Sequence, residues 1–301
     1  MKKNLEYLIA QLKYRLLSLF ILNKNKRRAF KTRFWERYLQ NLASETKWGV
    51  SYSVYDGEEL LEASIRSIRA SVDYINVVYQ KISWYGEPAD ENLVPILQRL
   101  REEKIIDELI EFEPDLLKKP GKNETRKRNI GLAAARRAGC DYFMTMDADE
   151  FYRRDEMERA KALILEKRIT HSIVAQTVYG RKPTEMLLCD GCCCQFFSRL
   201  TPFSRCTNNP RTIALVDPTR QLSHIPFWFG GSRYYFLHMV RMNHYSYLRK
   251  DVDKKFRNSS CQQCKEEKDS KIASFTALTC PDFFCLSEIA DKLNTKQMLE
   301  K

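Results

Sequence analysis

Hydrophobic and polar positions between residues 48 and 179 follow two patterns that alternate along the chain. Short apolar runs with the aromatic and β-branched content of buried strands lie at residues 48–55, 74–79, 109–112, 142–151 and 172–179. Segments with helical spacing lie between them, at residues 58–70, 92–103 and 121–138. Strands and helices that alternate at short spacing form a parallel sheet with helices on both faces. The pattern therefore predicts an α/β fold with its ligands at the carboxyl ends of the strands.

The run at residues 142–151 is the most informative segment because it ends in three acids, Asp147, Asp149 and Glu150. If the strand continues through them, Asp147 and Asp149 point to the same side. Two carboxylates this near to each other repel unless a cation or a shared proton reduces the repulsion. A strand end that is open to solvent favours a divalent cation. The alternative is a solvated acidic turn before a helix that begins near Asp155.

The helix predicted at residues 121–138 carries Lys122, Arg126 and Arg128 near its start and is followed by Gly139, a residue typical of helix ends. Cations at the start of a helix oppose its dipole, so an anionic ligand would explain them. A solvated basic face is the alternative. The helix leads directly into the strand that ends in the acids.

Three features in this order resemble the nucleotide-binding half of a GT-A glycosyltransferase: a first strand that ends in Tyr55 and Asp56, a later helix with Arg128, and the acidic strand end at residues 146–151. The sequence is most similar to family 2-like enzymes of bacterial surface-polysaccharide synthesis. The resemblance covers residues 47–180 and, more loosely, residues 238–260. It implies a GT-A (Rossmann-like) fold with a mixed, mainly parallel sheet flanked by helices.

The resemblance also implies roles for individual residues. Tyr55 and Asp56 match positions that grip the nucleotide base, although Asp56 and Gly57 replace the usual asparagine after the first strand. Arg128 matches an arginine that contacts the nucleotide, and Asp147 matches an acid that reaches the ribose or the metal. Asp149 matches the residue that holds Mn²⁺ or Mg²⁺ between the donor's phosphates.

Further site residues are expected in the carboxyl-terminal half. His244 resembles a later histidine that serves as another metal ligand, with His238 as the alternative, and a structural role remains open for both. An inverting transfer needs a base that deprotonates the acceptor hydroxyl. Asp190 and Glu185 are the nearest candidates after the strand at residues 172–179, although either could be a solvated loop acid.

These features predict a metal-dependent glycosyltransferase that moves a sugar from a nucleoside diphosphate, expected to be UDP, to a glycan or a lipid-linked acceptor in lipopolysaccharide or capsule synthesis. A nucleotidyl or phosphoryl transferase would also use clustered acids, but the sequence lacks a glycine-rich phosphate loop. In a third hypothesis the chain is a non-catalytic scaffold on a membrane, and the acids form an exposed turn.

The chain divides by pattern into three parts. Residues 1–46 form a basic amphipathic helical segment, residues 47–180 the nucleotide-sugar-binding half, and residues 181–301 an acceptor-side and carboxyl-terminal region. Prolines and glycines predict a loop-rich acceptor lobe in the third part. A mixed-charge helix is expected at residues 249–260, where some of the cations could close over the diphosphate.

Net charge is concentrated at the amino terminus. Residues 1–41 contain eleven Lys or Arg and two Glu, a net charge of +9 of the total of +12, so nucleic-acid binding by the rest of the chain is not expected. Apolar residues at helical spacing between Leu5 and Phe20 are interrupted by Lys13 and Arg15, which disfavours a transmembrane span. An anionic membrane surface suits this segment, with packing on the catalytic domain as the alternative. The predicted location is cytoplasmic, peripheral on the inner membrane.

Ten cysteines occur without a signal peptide or a regular disulfide pattern, which favours a reducing compartment. Two groups raise the possibility of zinc: Cys261 and Cys264 with Cys280 and Cys285, and Cys189 with Cys192, Cys193 and Cys194. Free thiols are favoured for the first group and a buried apolar run for the second.

Overall fold

The structure is a computed structural model that describes residues 2–21, 23–179, 185–187, 193–208, 216–223, 234–259 and 278–279. The helices there are α1 (Lys2–Leu19), α2 (Lys24–Glu45), α3 (Glu58–Arg69), α4 (Leu93–Glu102), α5 (Pro120–Arg137), α6 (Arg154–Lys167) and α7 (Val252–Arg257), with a 3₁₀ turn at Pro218–Arg220. The strands are β1 (Trp48–Val54), β2 (Tyr74–Tyr79), β3 (Glu108–Glu111), β4 (Tyr142–Met146), β5 (Glu150–Phe151), β6 (His171–Tyr179), β7 (Glu185–Leu187), β8 (Cys193–Arg199), β9 (Arg205–Cys206), β10 (Leu222–Ser223), β11 (Tyr234–His244) and β12 (Leu278–Thr279).

One half of the main sheet is parallel, with its strands in the order β3, β2, β1, β4. From β1 the chain proceeds outward to β2 and β3, and α5 then carries it back to the other side of β1, where it forms β4. This reversal makes β1 and β4 the topological switch point, and open α/β sheets bind ligands in the crevice at the carboxyl ends of such strands. The predicted α/β architecture is confirmed, and the strand at residues 74–79 has the predicted bounds.

Amphipathic helices cover this half of the sheet. In α3 the side chains of Leu61, Ile65 and Ile68 recur at helical spacing and are fully buried in the main core. On the opposite side of α3, Arg66 and Glu62 form an ion pair four residues apart. The same division of apolar and polar positions that predicts the helix therefore fixes which of its sides packs on the sheet.

The other half of the sheet is mainly antiparallel. β8 pairs with both β4 and β6, and β11 runs parallel to β6 and antiparallel to the short β5. The described part of the carboxyl-terminal region thus includes long strands inside the main sheet as well as loops. How the chain divides into the three predicted parts stays a prediction.

Two local predictions are wrong. β4 ends at Met146, so Asp147 and Asp149 lie in the turn before β5 and not at alternating positions of one strand. The helix expected at residues 249–260 spans only Val252–Arg257. In both cases the polar residues bind side chains distant in sequence, and those contacts override the local pattern.

The amino-terminal segment forms a pair of helices, where the pattern predicts one. The ring of Tyr14 on α1 lies 5.7 Å from that of Phe34 and 5.9 Å from that of Trp35 on α2, and α2 packs on α6. Apolar side chains remain exposed on α1 at Leu12, Leu16, Leu17 and Leu19, and directly after it at Phe20. Among the described residues, no helix combines the length and the apolar character needed to cross a bilayer.

Candidate active site

The carboxyl ends of β1 and β4 bring two of the predicted site residues together. Asp56 follows β1 and Asp149 follows β4, and Arg249 bridges them. Nη1 of Arg249 lies 2.9 Å from Oδ1 of Asp56, and its Nη2 donates to Oδ2 of Asp149 at 2.6 Å. Residues predicted separately from the two strand ends therefore line one site at the switch point.

The carboxylate of Asp149 lies at the centre of the site, with only 1 % of its side chain exposed. Nζ of Lys255 donates to Oδ2 at 2.8 Å, next to the guanidinium of Arg249. Burial opposes ionisation, but the charges of Arg249 and Lys255 outweigh it and hold the pKa of Asp149 well below its ordinary value. Asp149 is therefore a carboxylate throughout the physiological pH range.

His244 lies next to Asp149 because β11 pairs with β5. His244 is in register with Glu150, and the backbone N–H of Tyr245 donates to the carbonyl of Asp149 at 2.9 Å. Nε2 of His244 then lies 3.5 Å from Oδ1 of Asp149. The alternative ligand, His238, is exposed and contacts the ring of Phe236.

Asp149 and His244 fit a divalent cation that also binds a substrate's phosphates. Mg²⁺ is commonly held by one or two protein carboxylates with phosphate oxygens and water, and Mn²⁺ also accepts imidazole. Among the described residues, no group of three or more potential ligands forms a complete protein site. Nδ1 of His244 lies 2.8 Å from the amide nitrogen of Gln176, a contact of the kind that orients a metal-binding imidazole.

Asp147, whose side chain is 33 % exposed, belongs to a neighbouring cluster of charges in which Arg128, Arg220 and Glu150 are buried. Its carboxylate accepts from Nη2 of Arg128 at 3.2 Å and from Arg220, which also donates to Glu150 at 2.5 Å and 3.0 Å. Burial raises the pKa of Asp147, but Arg128 and Arg220 outweigh that effect and lower it to about 2. Burial raises the pKa of Glu150, partly offset by Arg220. The second Nη of Arg128 donates to Thr145 at 2.7 Å.

The turn after β1 is shaped by Gly57, which precedes α3 with a φ of +79°. A Cβ atom at this position would lie 2.8 Å from Nη1 of Arg249, so the glycine both adopts the left-handed conformation and admits the guanidinium. The adjacent Tyr55 donates its hydroxyl hydrogen to the carbonyl of Glu87 at 3.0 Å. Nζ of Lys254 lies 5.8 Å from the centre of the Tyr55 ring.

Lys127 lies behind this turn. Its Nζ donates to the carbonyl of Val54 at 2.7 Å and to Oε1 of Gln80 at 3.0 Å, which ties α5 to the carboxyl ends of β1 and β2. Burial lowers the pKa of Lys127 to about 7, although the charge of Asp147 opposes the shift. This side chain fixes the strand end from which Tyr55 and Asp56 extend.

The remaining predicted residues lie at or beyond the limits of the described chain. Glu185 begins β7, which pairs with the carboxyl end of β6 beside β11, whereas Asp190 lies outside the described residues. Cys193 begins β8, and the adjacent Cys194 is a buried free thiol. The other members of the two cysteine groups, Cys189, Cys192, Cys261, Cys264, Cys280 and Cys285, lie outside the described residues.

Sequence reasoning missed Arg220 and Gln176, and it placed Arg249 and Lys255 only in a helix of which some cations could close over the diphosphate. Arg220 lies 70 residues after its partner Glu150, in a short turn that has no recognisable motif. For Arg249 and Lys255 the signal was their position shortly after His244. The roles of Tyr55, Asp56, Arg128, Asp147, Asp149 and His244 in binding stay predictions.

Comparisons with known proteins give distant structural likenesses. No protein-family model matches the chain, and a comparison with curated proteins finds no match. S. aureus TarS (residues 1–349) with UDP-GlcNAc is similar at 17 % identity and a TM-score of 0.33, over 45 % of this chain and 35 % of that one. Glucosyl-3-phosphoglycerate synthase from Mycobacterium tuberculosis, with Mn²⁺, UDP and phosphoglyceric acid, is similar at 16 % identity and a TM-score of 0.33, over 48 % of each chain.

GalNAc-T7 with UDP, GalNAc and Mn²⁺ is similar at 14 % identity and a TM-score of 0.40, over 85 % of this chain and 56 % of that one. The chain thus spans between about a third and just over half of the length of these three structures. At TM-scores below 0.5 the likenesses do not by themselves establish a common fold or activity. The functional conclusion therefore rests on the geometry of the site.

Proposed function

We propose that this chain is a glycosyltransferase that takes its sugar from a nucleoside diphosphate, expected to be UDP. The observation that carries the proposal is the convergence of Asp149, His244 and Asp56 at the switch point of the sheet, with Arg249 between the carboxylates. Carboxylate, imidazole and guanidinium groups at one strand edge suit a diphosphate bound together with a divalent cation.

The positive charges of the site suit the step of the reaction in which negative charge develops on the departing diphosphate. Transfer of a sugar from a nucleoside diphosphate leaves negative charge on the diphosphate, and preorganised cations stabilise that charge as it develops. Arg249 and Lys255 are within reach because both already contact Asp149. Mn²⁺ or Mg²⁺ held by Asp149 and His244 would supply further stabilisation of the same charge.

An inverting reaction also needs a base near the acceptor. Glu185 is the described candidate, because β7 pairs with the end of β6, where Val178 is in register with His244 of β11. Asp190 follows shortly after it in the sequence. A Glu185→Gln variant should lose sugar transfer to an acceptor while it keeps donor binding, and normal transfer by this variant would leave Asp190 as the candidate.

The acceptor is proposed to be a glycan or a lipid-linked molecule of a bacterial surface polysaccharide such as lipopolysaccharide or capsule. Support comes from α1, where exposed leucines and Phe20 lie in a segment with Lys13, Arg15 and the basic residues of α2. Such a surface suits peripheral attachment to anionic lipids. Attachment to the cytoplasmic face of the inner membrane would place the site near a lipid-linked acceptor.

Ligand binding tests the proposal before any acceptor is known. The purified chain should be titrated with nucleoside diphosphates, with and without Mn²⁺, and its melting temperature measured. A ligand at 100 times its Kd stabilises a folded chain by about 2.7 kcal/mol, which is easily detected. We expect UDP with Mn²⁺ to raise the melting temperature and one UDP-sugar to release UDP slowly. No response to any nucleoside diphosphate in the presence of Mn²⁺ would refute the proposal.

A matched pair of variants assigns the effect to the site. Asp149→Asn should abolish the Mn²⁺-dependent response to UDP, whereas Asp155→Asn, at an exposed position of α6 where Asp155 pairs with Arg159, should keep it. The products separate the alternatives. A nucleotidyl transferase releases pyrophosphate from a nucleoside triphosphate and a sugar phosphate, and a scaffold binds no nucleotide.

A further inference from the structure

Asp149 is both the proposed metal ligand and the residue that two cations already neutralise. Arg249 Nη2 and Lys255 Nζ contact the same oxygen, Oδ2, at 2.6 Å and 2.8 Å, whereas Oδ1 is directed to His244. A divalent cation at Asp149 would therefore add two positive charges beside two that are already present. Like charges at this separation in a buried site repel strongly, so metal and cations compete for one carboxylate.

The local charges balance without a ligand. Asp56 and Asp149 supply two negative charges, and Arg249 and Lys255 supply two positive charges in direct contact with them. A diphosphate brings the additional negative charge that a metal and both cations can share. The arrangement thus favours joint binding of metal and diphosphate over the binding of metal alone.

The helix α7, which carries Lys255, is held mainly by polar contacts, whereas Arg249 precedes it and is 5 % exposed. α7 has six residues, none of them buried. Beyond Lys255 it is attached by Arg257, which lies 3.2 Å from Glu87, and by Asn258, which donates to the same glutamate at 2.5 Å. The ion pair of Arg257 with Glu87 is partly exposed and worth roughly 0.2–1 kcal/mol, so displacement of α7 together with Lys255 costs little.

Lys255 has a second partner that would remain after such an exchange. Its Nζ donates to the backbone carbonyl of Ser246 at 3.3 Å and also contacts the Ser246 hydroxyl. Arg249 is held between Asp56 and the left-handed turn at Gly57. Both side chains therefore stay at the rim of the site when they leave Asp149.

We propose that Arg249 and Lys255 are an exchangeable counter-ion pair, which neutralises Asp149 in the free protein and moves to the diphosphate when a divalent cation takes its place. The inference rests on the proposed function, since it needs a diphosphate ligand. It makes metal and nucleoside diphosphate bind synergistically, and by linkage each strengthens the other by the same factor. The competition at Asp149 keeps metal affinity low until the nucleotide arrives.

Lys255→Met tests this because it removes the charge but keeps most of the side-chain volume. Without nucleotide, Mn²⁺ binding measured from the electron paramagnetic resonance of the free ion should tighten by about tenfold or more, as one competing charge is lost. UDP binding measured by calorimetry at saturating Mn²⁺ should weaken by about tenfold, because the diphosphate loses a partner. The two affinities therefore change in opposite directions, which a merely structural role of Lys255 would not produce.

Lys250→Met is the matched control, since Lys250 is an exposed lysine of the same segment, and it should leave both affinities unchanged. Lys255→Arg should behave like the wild type, and Lys255→Gln replaces the methionine variant if that variant does not fold. The inference is overturned if loss of Lys255 weakens Mn²⁺ binding, leaves it unaltered, or is matched by Lys250→Met. If the wild type binds no nucleoside diphosphate even with Mn²⁺, the proposed function itself fails.

Discussion

Replacement of Lys127 by methionine should remove a large part of the pH dependence of folding stability. The side chain is 1 % exposed, and its Nζ donates to the carbonyl of Val54 and to Oε1 of Gln80. Burial lowers its pKa from 10.5 to about 7, against the attraction of Asp147. The charged form is therefore disfavoured in the folded chain but not in the unfolded chain.

The size of the effect follows from proton linkage. Above pH 7 the folded chain releases the proton of Lys127, whereas the unfolded chain keeps it until about pH 10.5. Unfolding then takes up a proton, so the free energy of unfolding rises with pH across this window. Between pH 7 and pH 9 one such group contributes about 2 kcal/mol. Lys127→Met lacks this contribution. At neutral pH the variant avoids the cost of burying the amine, but the carbonyl of Val54 and Oε1 of Gln80 lose their donor, at about 1–3 kcal/mol each.

Urea unfolding of both proteins at pH 7, 8 and 9 measures the difference. Burial raises the pKa of Cys140 and of Cys194 to about 12, so unfolded thiols ionise first and both proteins lose stability at the upper end. That loss is common to both proteins, so it cancels when the free energy of unfolding of the variant is subtracted from that of the wild type. From pH 7 to pH 9 the free energy of unfolding of the wild type should rise by about 2 kcal/mol relative to that of Lys127→Met. Parallel profiles would show that Lys127 is not a buried amine with a lowered pKa.

Three further predictions address the turn after β1, the buried charges and the amino-terminal helix. Gly57→Ala should cost about 1–2 kcal/mol of stability and weaken UDP binding in calorimetry, because a Cβ there would lie too close to Arg249. Gly86→Ala, also at positive φ but with a Cβ in ordinary contact with Leu116 at 3.8 Å, should cost stability without weakening UDP binding. Arg220→Met should cost about 3–5 kcal/mol at pH 7.5 in urea unfolding, since Asp147 and Glu150 lose their shared partner. The raised pKa of Glu150 makes that loss smaller at pH 5, where protonation removes a buried charge, and an equal loss at both pH values would contradict this account. Leu16→Ser combined with Phe20→Ser should release the protein from phosphatidylglycerol vesicles in a sedimentation assay, whereas Leu117→Ser, at an exposed leucine outside α1, should not; unchanged sedimentation would exclude α1 as the lipid contact.

The parts of the fold that sequence predicts are those fixed by local periodicity. β2 has the predicted bounds and α3 ends within one residue of its prediction, because each has an apolar side that the sheet must cover. The turn at residues 147–149 was missed because periodicity does not show where a buried strand stops pairing. Pairing of β5 with β11 depends on residues more than 90 positions apart, and no local pattern encodes it.

The same division applies to the site. Asp149 and His244 were found because acids at a strand end and a histidine later in the chain are recognisable by residue type. Arg220 and Lys255 were not assigned to these acids, because the sequence around a basic residue in a polar segment is the same whether its side chain faces solvent or a carboxylate. Their contacts span 70 and 106 residues, so only the tertiary structure distinguishes the two cases.

The two aspartates therefore differ in the kind of partner they have, although one residue separates them. Asp147 is held by Arg128 and Arg220, whose side chains are 1 % and 7 % exposed, and breaking either pair would leave a charge uncompensated inside the protein. Asp149 is held by Arg249, which is 5 % exposed, and by Lys255, which is 21 % exposed and belongs to a helix without buried residues. Exchange of Lys255 at Asp149 is thus less costly than loss of either arginine from Asp147. The structure favours Asp149 as the acid that changes partners during binding and Asp147 as a fixed part of the framework.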